Sequence, residues 1–317
     1  MHSASDSEFP DVDVIIPTYN CEDKLLSCLN SLAKQKYHGH LNLIIVDGGS
    51  TDSTLEVAKS FGATCYVNPD QYDAGLKGAR RFGETHSGST FVWLLDSDNE
   101  LVEDTVLSDL ISPLVADDTL NLSIPEMMTN PTIHPINNWL SLFELRGLRK
   151  LSSKGHAKGM WTYVDDVDFG ITNATLIRRS ALESGGGYDA DVRLLGRLRK
   201  MGIAKGAIVH SAHFVHNQVA STGEFAKKWQ KRMLRYSLMS ENDLREYFVE
   251  YPTKGSDHQR MVSGIAYKVM LGPLISLKEF AKDGNPIWFW GFVYSITIGI
   301  LIVRNISVVR KVVTTFI

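Results

Sequence analysis

The sequence predicts an α/β fold with a doubly wound, mostly parallel central sheet, flanking helices and a hydrophobic helical tail at the C-terminus. Three short apolar runs support the sheet, at residues 14–16, 43–46 and 91–95. Continuous apolar runs of this length are typical of strands buried on both faces of a parallel sheet. Each run ends at turn-forming residues or carboxylates, and helix-forming stretches separate the runs. This alternation of strands and helices favours the doubly wound class.

The elements between these strands follow from spacing and capping. Residues 22–35 carry leucines at helical spacing, which predicts an amphipathic helix. Asp52 or Ser53 is suited to cap a second helix, which we expect to begin there. Residues 63–67 predict a short strand and residues 74–85 a further helix, so that the alternation continues.

The pattern weakens beyond residue 110, where prolines recur. Prolines interrupt regular structure, so we expect an irregular region around Pro113, Pro125, Pro131 and Pro135. A helix is expected at residues 175–184, followed by a glycine turn at 185–187. Residues 224–236 predict a strongly basic helix, which either contacts anionic lipid or faces water.

Composition narrows the class of protein. The 317 residues suffice for one large or two small domains, and 44% apolar residues is normal for a globular core. A net charge of −3 argues against a nucleic-acid binder with a basic surface. The three cysteines lack metal-site spacing and do not form an even set for disulfides, which indicates a reduced, cytosolic environment for the soluble part. The polar tail at residues 1–11 lacks the pattern of a cleaved signal peptide.

The C-terminal part carries a long uncharged run at residues 284–303. About 20 such residues can cross a bilayer as a helix, and the aromatic residues near its start suit an interface. A buried core helix or an oligomer contact is the alternative. Residues 261–277 are also apolar but interrupted at Gly272-Pro273, which suits one leg of a hairpin or an interfacial helix.

Polar residues follow the three predicted strands where each strand ends. They are Pro17 to Asn20 after the first strand, Asp47 after the second, and Asp96-Ser97-Asp98 after the third. Ligands of open α/β sheets bind in the crevice at the carboxyl ends of such strands. Asp96 and Asp98 would supply that crevice with two hard oxygen ligands for a divalent cation.

Several motifs in a fixed order resemble the family 2 glycosyltransferases, which have the GT-A fold. These motifs are Val-Ile-Ile-Pro-Thr-Tyr-Asn ending at Asn20, Val-Asp-Gly-Gly-Ser-Thr-Asp-Ser-Thr ending at Thr54, Asp-Ser-Asp at 96–98 and Arg-Arg-Ser-Ala-Leu at 178–182. The resemblance covers residues 12–216. A lone Asp-x-Asp is a weak signal, whereas the ordered set is a strong one.

The resemblance implies a nucleotide-diphosphate sugar donor, bound with Mg²⁺ or Mn²⁺. The donor-binding residues that it implies are Pro17, Thr18, Tyr19, Asn20, Asp47, Lys77, Arg80, Asp96 and Ser97. Asp47 would accept a hydrogen bond from the base, while Lys77 and Arg80 would meet the phosphates. Asp98, Asp96, His213 and His216 are the implied metal ligands. For Asp52 a helix-capping role is favoured over ligand binding.

The family's general base implies Asp191 as the residue that deprotonates an acceptor hydroxyl, with inversion at the anomeric carbon. Family members often have Glu-Asp here, and this chain has Ala190-Asp191. The departure leaves Asp189 as a competitor, or no protein base at all. A polyprenyl-phosphate sugar synthase, whose acceptor needs no base, and a non-catalytic nucleotide-binding relative are the alternative functions.

The resemblance and the apolar tail together suggest four segments. Residues 1–11 form a polar tail, 12–112 the nucleotide-sugar-binding half, 113–240 the acceptor-binding and catalytic half, and 241–317 a membrane-associated helical region. The expected partners are the nucleotide sugar, a glycan or lipid-linked acceptor and a membrane, with no nucleic acid. We expect the catalytic domain on the cytoplasmic side of that membrane, with the topology of 261–317 open.

Overall fold

The fold comes from a computed structural model that describes residues 9–68, 75–168, 174–188, 191–238, 272–305 and 307. The chain divides into two units, which are Met1–Met128 with Phe143–His216, and Thr129–Leu142 with Asn217–Ile317. The predicted donor and acceptor halves stay a prediction, because this division does not show which part binds which substrate.

A ten-stranded sheet forms the centre of the first unit. Its strands are β1 (Val12–Thr18), β2 (Leu41–Asp47), β3 (Thr64–Val67), β4 (Phe91–Leu94), β5 (Asn99–Leu101), β6 (Leu122–Met128), β7 (His156–Lys158), β8 (Trp161–Val164), β9 (Thr175–Arg178) and β10 (Gly206–His216). They lie in the order β3-β2-β1-β4-β9-β6-β10-β8-β7, and β5 pairs with β10. Strands β1 to β4 pair in parallel, as do β6 and β10, while β9, β8, β7 and β5 pair antiparallel. The predicted doubly wound, mostly parallel sheet is therefore confirmed.

Helices flank the sheet and form most of what is described of the second unit. They are α1 (Glu22–Ala33), α2 (Thr54–Ser60), α3 (Gly75–Thr85), α4 (Val106–Ala116), α5 (Pro135–Ser152), α6 (Arg179–Ser184), α7 (Asp191–Lys200), α8 (Thr222–Leu238), α9 (Gly272–Asp283) and α10 (Trp290–Arg304). A short 3-10 helix, Pro286–Phe289, precedes α10. The predicted helices at 22–35, 74–85 and 224–236 correspond to α1, α3 and α8.

Strand β1 shows why its sequence is apolar without alternation. Ile16 packs in one core cluster together with Leu25 of α1, and Ile15 packs in the other together with Ala79 of α3. Successive side chains of a strand point to opposite faces, so both faces of β1 are covered by helices. Gly83 allows the close approach of α3, because a Cβ there would lie 2.5 Å from Ile15 Cγ2.

The expectation of an irregular region beyond residue 110 holds only around Pro131, which lies in a turn between β6 and α5, and is wrong for the other three prolines. Pro113 lies within α4, Pro125 lies within β6 and Pro135 begins α5. A proline at the first helical position loses no hydrogen bond, which explains Pro135. Pro125 pairs with Val209 immediately before a register shift in β10, and such irregularities are where strands accept proline.

The helix predicted at 175–184 is also partly wrong. Thr175–Arg178 form β9, and the helix begins only at Arg179. Antiparallel pairing of β9 with β4 overrides the local helical tendency, since it fills the sheet beside a central strand.

The second unit holds the predicted hydrophobic segment. Within the part of the chain that is described, Pro286–Arg304 is the one helix long and apolar enough to cross a membrane. Length and composition alone give that result. Of the apolar stretch at 261–277, residues 261–271 lie outside the described residues, and α9 begins at Gly272.

Candidate active site

The carboxyl end of β2 carries Asp47, whose carboxylate is fully buried. Its Oδ1 accepts hydrogen bonds from the hydroxyls of Thr18 (2.8 Å) and Ser50 (2.6 Å). Its Oδ2 accepts from the backbone N–H groups of Gly49 (2.8 Å) and Ser50 (2.7 Å). Asp47 therefore shapes the loop that follows β2. Its predicted bond to a nucleotide base stays a prediction, and a base would have to compete with these four donors.

The loop after β1 is joined to the same β2 loop. The Asn20 side-chain oxygen accepts from the Thr51 N–H (2.8 Å), and the Asn20 N–H donates to the Ser50 hydroxyl (2.8 Å). Tyr19 is 56% exposed, and its ring lies beside Gly48, where a Cβ would be 3.3 Å from the ring. Pro17, by contrast, is buried within β1. Of these predicted donor residues, Tyr19 offers the most accessible surface for stacking on a base.

Asp96, Asp98 and His216 converge at the carboxyl end of the sheet. One ligand atom from each lies within 4.8 Å of those of the other two. His216, at the end of β10, places Nε2 3.1 Å from Asp98 Oδ1 and is 8% exposed. Two carboxylates and an imidazole are a donor set that fits Mn²⁺ or Mg²⁺. These three predicted ligands are thus brought together.

Arg80 of α3 lies behind this group and is only 1% exposed. One guanidinium nitrogen donates to Asp96 Oδ1 (2.5 Å) and another to the Tyr188 hydroxyl (2.7 Å). The guanidinium carbon also lies 5.3 Å from the centre of the Tyr188 ring. In this structure Arg80 holds Asp96 in place, whereas its predicted contact with phosphate stays a prediction.

The glycine turn before Asp191 is held from two helices. From α3, the Arg81 guanidinium donates to the Gly186 carbonyl (2.7 Å) and Glu84 accepts from the Tyr188 N–H (2.6 Å). From α7, the Arg197 guanidinium donates to the Gly187 carbonyl (2.7 Å). Gly187 has φ +79°, and a Cβ there would lie 1.4 Å from Arg81 Nη1. The turn therefore requires glycine.

Asp191 itself begins α7, three residues after Tyr188, the last described residue of this braced segment. Asp189, the competing base, and Ala190 lie outside the described residues. Lys77 falls in the first turn of α3, and its side chain also lies outside the described part. The predicted roles of Asp191 and Lys77 stay predictions.

His213 does not join the metal-ligating group, although the sequence predicted it as a ligand. Its Nδ1 lies 2.8 Å from Glu103 Oε1, and its backbone N–H donates to Glu103 Oε2 (3.0 Å). His213 and His216 are separated by an odd number of positions in β10, which puts them on opposite faces of a regular strand. His210, the remaining histidine of the strand, contacts Glu126 (2.7 Å) and Thr162 (2.9 Å) instead.

Two cysteines lie next to the Asp-x-Asp loop. Cys28 is buried, with Sγ 3.7 Å from the Asp96 carbonyl oxygen. Burial, reinforced by the charges of Asp98 and Asp96, raises the pKa of the Cys28 thiol well above its usual range. Burial likewise raises the pKa of Cys21, although a hydrogen bond with Ser97 opposes that effect. Both residues therefore stay neutral thiols at pH 7, and Ser97, a predicted donor contact, is hydrogen-bonded to one of them.

Comparison with known proteins places this site in a family. Residues 13–186 match the family model described as Glycosyl transferase family 2. The chain is 36% identical over 103 residues to a PGL/p-HBAD biosynthesis glycosyltransferase of Mycobacterium tuberculosis, covering 31% of this chain and 40% of that protein. It is 34% identical over 97 residues to glycosyltransferase GlyA of Streptococcus pneumoniae, covering 30% of this chain and 14% of that one. The chain thus spans less than half the length of these relatives.

A solved structure agrees in fold. It is the mannosyltransferase PcManGT from Pyrobaculum calidifontis in complex with GDP-Man and Mn²⁺, with a TM-score of 0.53 and 16% identity over 95% of this chain and 88% of that one. At this identity the likeness supports the GT-A fold alone. The family match, however, covers more than half of the chain and contains β1, β2, β4 and the Asp-x-Asp loop. The chain therefore belongs to glycosyl transferase family 2, as its ordered motifs predicted.

Proposed function

We propose that this chain is a metal-dependent, inverting glycosyltransferase that moves a sugar from a nucleotide-diphosphate sugar to an acceptor hydroxyl. The observation that carries the proposal is the convergence of Asp96, Asp98 and His216 at the carboxyl end of the sheet. This is where open α/β sheets bind their ligands. The neighbouring structure from Pyrobaculum contains GDP-Man and Mn²⁺, which supports the same classes of donor and metal here.

Each group of residues at the site has its own proposed role, set by its position. Asp98 and His216 would hold a divalent cation with Asp96, and that cation would supply positive charge to the diphosphate leaving group. Arg80 fixes the orientation of Asp96 from behind. Tyr19 offers its exposed ring to the base, and the loop built around Asp47 forms the floor of the donor site.

The transfer itself is a single displacement. The acceptor oxygen forms a bond to the anomeric carbon as the bond from that carbon to the diphosphate oxygen breaks, which inverts the configuration. Asp191 takes the proton from the acceptor hydroxyl as general base. The clamps on the turn at Gly186 and Gly187 support this role, because Arg81 holds the turn from α3 and Arg197 ties α7, which begins at Asp191, to the same turn.

We propose that the acceptor is a lipid-linked or cell-surface glycan. We also propose that the chain is membrane-associated, with its catalytic domain on the cytoplasmic side. The long apolar helix at Pro286–Arg304 supports a membrane-linked substrate. The relative from Mycobacterium tuberculosis is named for PGL/p-HBAD biosynthesis, and it supports the transferase chemistry without identifying this acceptor.

A polyprenyl-phosphate sugar synthase of the same fold is the second candidate. Ala190 in place of the family's Glu favours it, since a phosphate acceptor is already an anion and needs no base. Asp191→Asn separates the two functions. A loss of turnover of about 10²-fold or more supports a hydroxyl acceptor. Unchanged turnover supports a phosphate acceptor.

Thermal shift measurements test the donor site. We expect one nucleoside diphosphate to raise the melting temperature only when Mn²⁺ or Mg²⁺ is present, because ligands stabilise the state that binds them. Asp98→Ala should abolish this shift. Asp118→Ala is the matched control, because the Asp118 side chain is 95% exposed and remote in sequence from the site. The absence of any shift in folded protein would contradict the transferase proposal and favour a relative without catalytic activity.

A further inference from the structure

Helix α10 has two apolar faces. The residues on its buried face are Gly291, Tyr294, Ile298 and Leu301. A second apolar stripe is exposed and consists of Ile296 (63%), Ile300 (50%) and Val303 (72%), and Phe289 (45%) at the end of the preceding 3-10 helix is exposed as well. Steps of four and three residues keep the three side chains of the stripe on one side of the helix. Because large exposed apolar surfaces mark interaction sites, this stripe requires a partner.

The buried face of α10 is built into the second unit. The Trp139 indole N–H donates to the Ser276 hydroxyl of α9 (3.0 Å), and the Trp139 and Tyr294 rings lie 4.6 Å apart. A Cβ at Gly291 would lie 2.1 Å from Ser276 Oγ, so α9 and α10 approach closely at this glycine. Helix α10 is thus one wall of a packed helical unit, unlike a solitary membrane anchor.

Exposed lysines of α8 lie near Tyr294, which is close to the middle of the apolar segment Pro286–Arg304. The rings of Phe225 and Trp229 lie 5.4 and 6.4 Å from that of Tyr294, and the Gln230 side chain hydrogen-bonds the Asn305 side chain (3.2 and 3.4 Å). Tyr294 and Asn305 are separated by roughly 16 Å of helix. The exposed residues Lys227 and Lys228 fall between Phe225 and Trp229, which both contact Tyr294. A bilayer crossed by α10 would enclose their ammonium groups, which is strongly unfavourable.

We propose that the second unit binds the surface of an anionic membrane, with the exposed stripe of α10 inserted into one leaflet and no crossing of the bilayer. Interfacial helices of this kind combine an apolar stripe with neighbouring lysines. Along α8, the exposed residues Lys227, Lys231, Leu234 and Leu238 follow one another at helical spacing and so form such a mixed face.

Charge favours lipid over a second copy of the chain as the partner. Lys227, Lys228 and Lys231 are exposed beside α10, and anionic headgroups attract such clusters. A two-fold dimer through the same face would instead bring the lysines of two copies together. The inference deepens the membrane part of the proposed function and does not depend on which sugar is transferred.

Vesicle co-sedimentation of the full chain tests the surface. We expect binding to phosphatidylcholine vesicles that contain phosphatidylglycerol, with about a fivefold loss of affinity for each lysine removed by Lys227→Gln, Lys228→Gln and Lys231→Gln. The double variant Ile296→Gln/Ile300→Gln should lose more than about tenfold. Its matched control is Val115→Gln/Met201→Gln, which replaces apolar side chains of the first unit that are 59% and 52% exposed.

Topology is tested in spheroplasts of an expression host. Pro286→Cys and Arg304→Cys mark the two ends of the apolar helix, and both positions are exposed. We expect a membrane-impermeant maleimide to reach both ends only after permeabilisation, above the background of the chain's own three cysteines. Labelling of one end in intact spheroplasts and of the other only after permeabilisation would establish a crossing and overturn the proposal.

Two further results would also overturn it. One is the absence of binding to the vesicles that contain phosphatidylglycerol. The other is that light scattering finds the unmodified chain to be an oligomer and the Ile296→Gln/Ile300→Gln variant to be a monomer, while the two bind vesicles equally well. The thermal shift with nucleotide and metal tests the first unit, whereas vesicle binding tests the second. Failure of this inference and failure of the proposed transferase are therefore distinguishable.

Discussion

Arg80 allows two roles that predict opposite effects of its replacement. As a phosphate ligand it would affect nucleotide affinity and leave stability nearly unchanged. As a structural partner of Asp96 it would affect stability. Its burial at 1% exposure, and its contacts of 2.5 Å to Asp96 and 2.7 Å to Tyr188, favour the structural role.

The size of the effect follows from that burial. Removing one partner of a buried ion pair leaves an uncompensated charge and costs about 3–5 kcal/mol. Arg80→Met keeps much of the side-chain volume and removes the charge, so we expect a loss of that size. Adding Asp96→Asn to Arg80→Met removes the carboxylate charge that has lost its partner. The double variant should therefore lose about 1–3 kcal/mol less stability than the two single losses added together.

Lys36→Met is the matched control for this measurement. Lys36 also forms an ion pair in the first unit, with Asp104 (2.7 Å), but its side chain is 72% exposed. Exposed ion pairs contribute about 0–1 kcal/mol, so we expect little change. Urea unfolding gives the global midpoint, and hydrogen exchange of the β4 amides reports the first unit separately. Arg80→Met with normal stability but weakened nucleotide binding would refute the structural role and restore the phosphate contact.

Three further predictions concern stability, conformation and the metal. Burial would raise the pKa of Asp13, but hydrogen bonds from Ser89, Asn42 and Gly88 outweigh it and lower the pKa. The stability that Asp13 contributes is therefore fully present above its unfolded pKa of about 3.9 and is lost as the pH falls through its lower pKa in the folded protein. Asp13→Asn should make the urea midpoint depend less on pH in this range. An unchanged pH dependence would contradict this role of Asp13. Gly187→Ala should lower the urea midpoint more than Gly159→Ala, since both have positive φ but only a Cβ at Gly187 meets Arg81; equal losses would mean that the clamp contributes nothing. His216→Ala should weaken Mn²⁺-dependent nucleotide binding by about 10–100-fold while His213→Ala leaves it unchanged, and equal effects measured by calorimetry would disprove the separation of the two histidines.

The first half of the fold could be predicted because its strands and helices carry local signals. The apolar runs that form β1, β2 and β4 are buried on both faces, and that burial is visible in the sequence. Strands β5 and β7 contain three residues each, which is too short for any period to be recognised. Strand β9 was mistaken for helix, since its structure is imposed by the neighbouring β4.

The candidate site divides in the same way. Asp96 and Asp98 follow a recognisable strand, so both could be placed at the crevice from sequence. Tyr188 could not, because its contact with Arg80 joins positions 108 residues apart and no local pattern signals it. The contact of His213 with Glu103 joins positions 110 residues apart, so no local pattern signals it either. His213 was therefore predicted as a metal ligand instead.

The two carboxylates of the Asp-x-Asp motif have different surroundings, and this difference bears on mechanism. Asp96 already has a cationic partner in Arg80, whereas the carboxylate of Asp98 lies beside the imidazole of His216. The guanidinium of Arg80 offsets part of the charge of Asp96, which reduces what Asp96 can contribute to a bound cation. We therefore expect Asp98 to be the principal ligand and Asp96 the ligand whose orientation Arg80 fixes. Removal of Asp98 should accordingly weaken metal binding more than removal of Asp96, although the two carboxylates have the same chemistry.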